Sequence, residues 1–219
     1  MSNIVNIYLV RHAESEANVD ARNVIGGQNI GVHLTPKGEK QAYALGNEFI
    51  NEGLNFDAAF TSMALRTQET AQITLGVMNY KGNIAAYPEL LEQDPGDWEG
   101  QSRSIYDRPD VRLALDTDNW NFIPGDIRKG ESQRMIGQRM VNWFMGIVDY
   151  YSQSPGTSNI VVFSHGLAIK YFLAELLNLP RSTAFMIHID NTSVTYLQYI
   201  NRKLVLPRLN DTRHYSLIH

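Results

Sequence analysis

Hydrophobic positions along the chain come in two rhythms: short continuous runs rich in β-branched residues, and longer stretches with apolar residues at helical spacing. Residues 4–10, Ile-Val-Asn-Ile-Tyr-Leu-Val, read as a buried strand that stops where Arg11 and His12 bring in charge. Thr35 followed by Pro36 marks a helix start, with Ala42, Leu45, Phe49 and Ile50 on the inward face and Gly53 at the end. Residues 56–61 form a second strand running into a helix-forming stretch at 62–71, and residues 84–87 a short third strand. From 89 to 130 the pattern breaks. Pro95, Pro109 and Pro124 are scattered among Trp98, Tyr106, Trp120 and Phe122, which predicts an irregular or part-helical insertion over the sheet.

Regularity returns at 131–151, a helix with Met140, Phe144, Ile147 and Tyr151 on one face. Residues 159–163, Asn-Ile-Val-Val-Phe, are the clearest strand and stop at Ser164-His165-Gly166. A helix follows with Ile169, Phe172, Leu173, Leu176 and Leu177 inward, ended by Pro180, and 185–189 and 193–200 read as closing strands. Strands alternating with helices predict an α/β fold: a three-layer sandwich with a mainly parallel sheet and helices on both faces. With no repeat or linker visible, residues 1–219 are expected to form a single domain.

Composition narrows the function classes. Hydrophobic residues make up 43% and charged residues 19%, enough for a real core. The 19 Lys and Arg against 23 Asp and Glu leave a formal charge of -4, which argues against a dedicated nucleic-acid binder. There is no cysteine, so disulfides, thiolate nucleophiles and cysteine-held metals are excluded. No apolar run reaches the roughly 20 residues of a membrane span, and residues 1–10 lack signal-peptide features. The expectation is a cytoplasmic protein with no membrane partner.

Three strands end directly in polar residues of catalytic type: Arg11-His12, the 62–66 segment with Ser62 and Arg66, and Ser164-His165-Gly166. Ligands of parallel α/β sheets sit at the carboxyl ends of strands, so these residues can converge. Two arginines and two histidines in one pocket make sense around an anion, since the guanidinium fork matches phosphate oxygens. Each residue alone has a plainer reading: a strand-end Arg is more often a surface charge, Arg66 can pair with Glu69 or Glu48, and Ser62 and Thr35 suit helix caps. Trp98 reads as core of the insertion, His188 as structural in a strand, and His214 and His219 as part of a terminus that frays. His33, His188, His214 and His219 lack metal-ligand spacing.

The residues then carry a resemblance. Leu-Val-Arg-His-Ala-Glu-Ser-Glu-Ala-Asn at 9–18 resembles the signature of the histidine phosphatase superfamily, the phosphoglycerate-mutase-like proteins. Five further blocks follow in the family's order: Leu-Thr-Pro-Lys-Gly-Glu-Lys-Gln-Ala at 34–42, the segment 61–71 with Arg66, Leu91-Glu92 with Gly-Asp-Trp-Glu-Gly at 96–100, Gly-Glu-Ser at 130–132, and Ser-His-Gly at 164–166. The resemblance implies His12 as the nucleophile that becomes a phosphohistidine. It implies Arg11, Arg66, His165, Asn18 and Gly166 around the phosphoryl group, and Glu92 as the proton donor with Glu89 as its rival. Neither metal nor other cofactor is implied. Leu167, where the family commonly has a small residue, and the Asp94-Pro95-Gly96 lead are departures.

The resemblance favours a phosphomonoester hydrolase of the phosphatase branch acting on a small phosphorylated metabolite. A phosphoglycerate mutase is the alternative, although mutases of the family resemble a different acid segment, Asn-Glu-Arg-x-Tyr-Gly. A non-catalytic phospholigand-binding adaptor is the third reading. A homodimer is expected by analogy alone. Arg103, Arg108, Arg112, Arg128 and Lys129 in the insertion are candidates for a second anionic group or for plain surface charge.

Overall fold

In the computed structural model, which describes residues 3–20 and 24–217, the first strand β1 (Asn3–Arg11) lies next to the centre of a six-stranded mixed sheet. A five-residue helix α1 (Glu16–Asp20) follows, then α2 (Pro36–Asn51), β2 (Ala58–Ser62), α3 (Leu65–Val77) and β3 (Ile84–Tyr87). The insertion contains three 3₁₀ turns, Pro88–Leu90, Gly96–Trp98 and Arg103–Asp107, and α4 (Pro109–Asp118). The chain then forms α5 (Gln133–Tyr151), β4 (Gly156–Ser164), α6 (Gly166–Leu176), α7 (Arg181–Ala184), β5 (Val194–Ile200), β6 (Lys203–Asp211) and a last 3₁₀ turn, Arg213–Leu217.

The strand order is β3-β2-β4-β1-β5-β6. The first four strands run parallel, while β5 and β6 are antiparallel additions. Alternation along β1 sorts its side chains to the two faces. Val5, Ile7 and Leu9 join Ile160 and Val162 of β4 against α5 and α6, where Phe144 and Phe172 pack with ring centroids 5.0 Å apart. Tyr8 and Val10 point the other way, toward Leu45 and Phe49 of α2 and Leu75 of α3. Both faces are thus covered, which explains the continuous apolar runs of the central strands.

Thr35 caps α2 as expected: its hydroxyl accepts the Gly38 N–H at 3.0 Å, and Pro36 opens the first turn. Gly53 ends that helix with φ 68. The insertion is irregular and part helical, and Trp98 is its core, buried with Ile25 and Val111.

Several expectations are corrected. Residues 185–189 are not a strand. They form the turn after α7, and Ile187 and Ile189 fill the core without joining a ladder. His188 consequently lies exposed beside Asp190. Helix α6 stops at Leu176, ahead of Pro180, with Asn178 left-handed at φ 48. Ile50 and Leu177 face solvent. His214 does not fray: it is buried, bonded to Thr192 Oγ1 at 2.8 Å. His219 lies outside the described residues. No helix among the described residues is long and apolar enough to cross a membrane.

Candidate active site

The site is built where β1, β2 and β4 end. Arg11 is the last residue of β1, and the His12 N–H bonds to Ser164 O at 2.9 Å, tying the exits of β1 and β4 together. The loop after His12 is held group by group. Ala13 N–H bonds to Thr70 Oγ1 of α3 at 3.0 Å, Glu14 N–H to Gln41 Oε1 of α2 at 2.8 Å, and Ser15 N–H to Asn18 Oδ1 at 3.0 Å. Asn191, just before β5, donates to His12 O at 2.9 Å and to Asn18 Oδ1 at 3.3 Å.

This scaffold fixes the His12 ring. Its Nδ1 lies 2.7 Å from Ala13 O, which can only accept, so Nδ1 carries the proton and Nε2 keeps its lone pair. Burial pushes the His12 pKa well below the usual histidine value, helped by Arg11 and Arg66. His165, the residue preceding α6, is fully buried, and its ring centroid is 5.1 Å from that of His12. Its Nε2 is anchored 2.8 Å from Ser62 Oγ, and its Nδ1 is buried with no hydrogen-bond partner in the protein. Burial and the nearby Arg66 hold its pKa well below normal too.

The two arginines are positioned through backbone carbonyls. Arg66 is 4% exposed and donates to Asn29 O at 2.6 Å and Gly27 O at 3.1 Å, leaving three of its five N–H donors. It pairs with neither Glu69, which holds His33, nor Glu48. Arg11 donates to Ile189 O at 2.7 Å, while its Nε is buried without a partner. A side chain at Gly166 would meet that Nε at 3.3 Å. Two cations, neither joined to a carboxylate, beside two neutral imidazoles form a site matched to an anion.

Glu92 sits across from them at the start of α6. Its Oε1 accepts the N–H of Gln93 and of Ala168, both at 3.0 Å, and its Oε2 accepts Leu167 N–H at 3.1 Å. Leu167, a departure in the sequence, thus uses its backbone to orient Glu92 while its side chain lines the cavity. Glu89 does not line the cavity, and its Oε2 is buried without a partner.

Arg11, His12, Asn18, Arg66 and Glu92 line one cavity of about 660 Å³. His165 and Gly166 are not among its lining residues: His165 is fully buried behind the His12 ring, and Gly166 is half-buried against the Arg11 side chain. The Asp94-Pro95-Gly96 lead is ordered by Arg128, which bonds both Asp94 oxygens, so that arginine is not turned to a ligand. Arg108 is likewise held by Asp110 and Asp126. No cluster of metal-binding side chains occurs among the described residues.

The profile of the Histidine phosphatase superfamily (branch 1) matches residues 7–212. The chain belongs to the histidine phosphatase superfamily. Among curated members, the chain is 28% identical to the probable phosphoglycerate mutase GpmB of Yersinia enterocolitica, covering 98% of this chain and 96% of that protein. It is 25% identical to the adenosylcobalamin/alpha-ribazole phosphatase of Escherichia coli over 95% and 97% of the two chains. Among solved structures, Bacillus stearothermophilus YhfR superposes with a TM-score of 0.80 at 26% identity, covering 96% of this chain and 98% of that one.

Several residues that support the site were not singled out from the sequence. Arg139 of α5 donates to Glu89 O, Leu91 O and Glu92 O and forms a two-point ion pair with Glu131, so it supports the segment carrying Glu92. Asn191, Gln28 and the carbonyls of Gly27 and Asn29 are similar supports. Ser62 is not the cap of α3, which starts at Leu65 after Ala64; it is the anchor of His165.

Proposed function

We propose that this protein is a phosphomonoester hydrolase working through a phosphohistidine on His12. The observation that carries the reading is the His12 ring: Nδ1 bonded to Ala13 O, Nε2 unprotonated, and two guanidiniums beside it. In the first half-reaction Nε2 attacks phosphorus, an N–P bond forms and the ester P–O bond breaks. Glu92 delivers a proton to the departing alkoxide. In the second half-reaction Glu92 takes a proton from water, the water oxygen attacks phosphorus, and the N–P bond breaks to release phosphate. Arg11, Arg66 and Asn18 hold the phosphoryl oxygens, with His165 Nδ1 and the Gly166 end of α6 below them. Donors of this kind typically contribute roughly 10²- to 10³-fold each in rate. The proposal needs no metal, since the guanidiniums supply the positive charge.

Release of inorganic phosphate from p-nitrophenyl phosphate tests the reading. Turnover by the wild type and its loss in His12→Ala are expected; equal turnover by the two contradicts it. The mutase alternative rests on the GpmB relative. It predicts interconversion of 2- and 3-phosphoglycerate with little phosphate released.

A further inference from the structure

We propose, resting on the hydrolase reading, that the leaving group accepted here is a bulky, neutral, hydroxyl-bearing moiety, and that Gln133 is a specificity-determining residue for it. The proton donor fixes where the leaving group goes. Glu92 is bonded to the backbone of Leu167 and Ala168, so the ester oxygen departs beside the first turn of α6. Leu167 and Tyr171 lie one turn apart on that helix and both line the cavity. The Tyr171 ring is fixed edge-on against Trp120 at 5.8 Å, which makes a rigid apolar wall. Phe122 and Pro124 of the insertion line the same cavity.

Set in this wall is an unmet hydrogen-bonding group. Gln133, the first residue of α5, lines the cavity, and its Oε1 is buried without a partner. A buried acceptor without a partner is costly unless a ligand supplies a donor. A substrate hydroxyl supplies one, and with the side-chain amide turned over the same position can give a proton to a hydroxyl oxygen.

Charge on the lining argues against a second anionic group. Among the described lining residues the cations are Arg11, Arg66 and Arg103, with no lysine, and Glu16, Glu99 and the proton donor Glu92 line the same cavity. Arg11 and Arg66 belong to the phosphoryl end. Arg103 Nε is directed at Val24 O on the wall formed by the 24–29 loop, where Glu99 also bonds Asn29 N–H. Arg108 and Arg128, the other insertion arginines with resolved partners, are bound to aspartates. The space itself, about 660 Å³, accommodates far more than a three-carbon acid.

The experiment compares kcat/KM for ribose 5-phosphate and adenosine 5′-monophosphate with that for 3-phosphoglycerate, fructose 1,6-bisphosphate and p-nitrophenyl phosphate. The neutral hydroxyl-bearing esters are expected to exceed the glycerate and the bisphosphate by tenfold or more. In Gln133→Leu, which keeps volume but removes the amide, the ratio of the better neutral ester to p-nitrophenyl phosphate is expected to fall about tenfold. Preference for the glycerate or bisphosphate, or an unchanged ratio in Gln133→Leu, overturns the inference while His12-dependent turnover of p-nitrophenyl phosphate still stands. Absence of His12-dependent turnover of every ester removes the hydrolase reading itself.

Discussion

Replacing Arg66 with alanine separates its two jobs. The guanidinium uses one N–H on Asn29 O and one on Gly27 O, and three remain for the ligand. Loss of the ligand-facing donors is expected to lower kcat/KM by roughly 10²- to 10³-fold, the usual cost of removing preorganised charge stabilisation. Loss of the two carbonyl bonds, at about 0.5–1.5 kcal/mol each, destabilises the 27–29 loop and lowers the melting temperature by roughly 2–12 °C in a chain of this length. Arg66→Lys retains the charge without the fork and is expected to fall between the two. The assay is steady-state hydrolysis of p-nitrophenyl phosphate with inorganic phosphate as competitor, alongside a thermal melt. Arg66→Ala protein that melts within a few degrees of the wild type yet keeps more than a third of its kcat/KM refutes the phosphate-clamp reasoning.

Other perturbations follow from the same geometry. Because burial, Arg11 and Arg66 hold His12 well below the usual value, kcat/KM is expected to show no loss from His12 protonation between pH 7 and 6; an acid limb centred near 6.5 in the wild-type profile contradicts this. His214 is held at about 4 by burial, so the unfolded chain binds its proton first as pH falls below 6.5. Stability is therefore lost from 6.5 downward, by about 3 kcal/mol at pH 4, and His214→Gln is expected to flatten that part of the urea-midpoint profile. Gly38→Ala puts a Cβ 2.0 Å from Glu14 O, which presses on the loop after His12; a drop in both stability and kcat is expected, measured by urea titration and turnover. Trp98→Ala empties the insertion core at about 3–5 kcal/mol, and its melt is expected to show that loss.

The legible parts of the chain are those where local chemistry and tertiary role coincide. Strands β1 and β4 are buried on both faces, so their apolar runs and abrupt charged ends mark both the strand and the site. Thr35-Pro36 and Gly53 announce α2 by caps that act within a few residues. Strand β6 was not expected: it is an edge strand whose positions alternate between exposed and half-buried without a matching apolar–polar alternation, Leu204, Val205 and Leu206 being consecutive, and it carries Pro207, tolerable only at an edge. Residues 185–189 misled in the opposite sense, since β-branched apolar residues can fill a core without pairing.

For the site, residue type and strand-end position pointed to Arg11, His12, Arg66 and His165. The supports were illegible because their partners are remote in sequence. Ser62 answers His165 across 103 positions, Asn191 answers His12 O across 179, and Arg139 answers Glu89 O across 50. The same holds for the pairs Arg108–Asp126 and Arg128–Asp94, which only the fold brings together.

Rapid acid-free quenching during turnover, followed by peptide mass spectrometry, reads the intermediate directly. A phosphoryl group that is acid-labile and alkali-stable, carried on the peptide containing His12 and absent from His12→Ala, is the expected result. Turnover with no such label, or a label on another residue, contradicts the account.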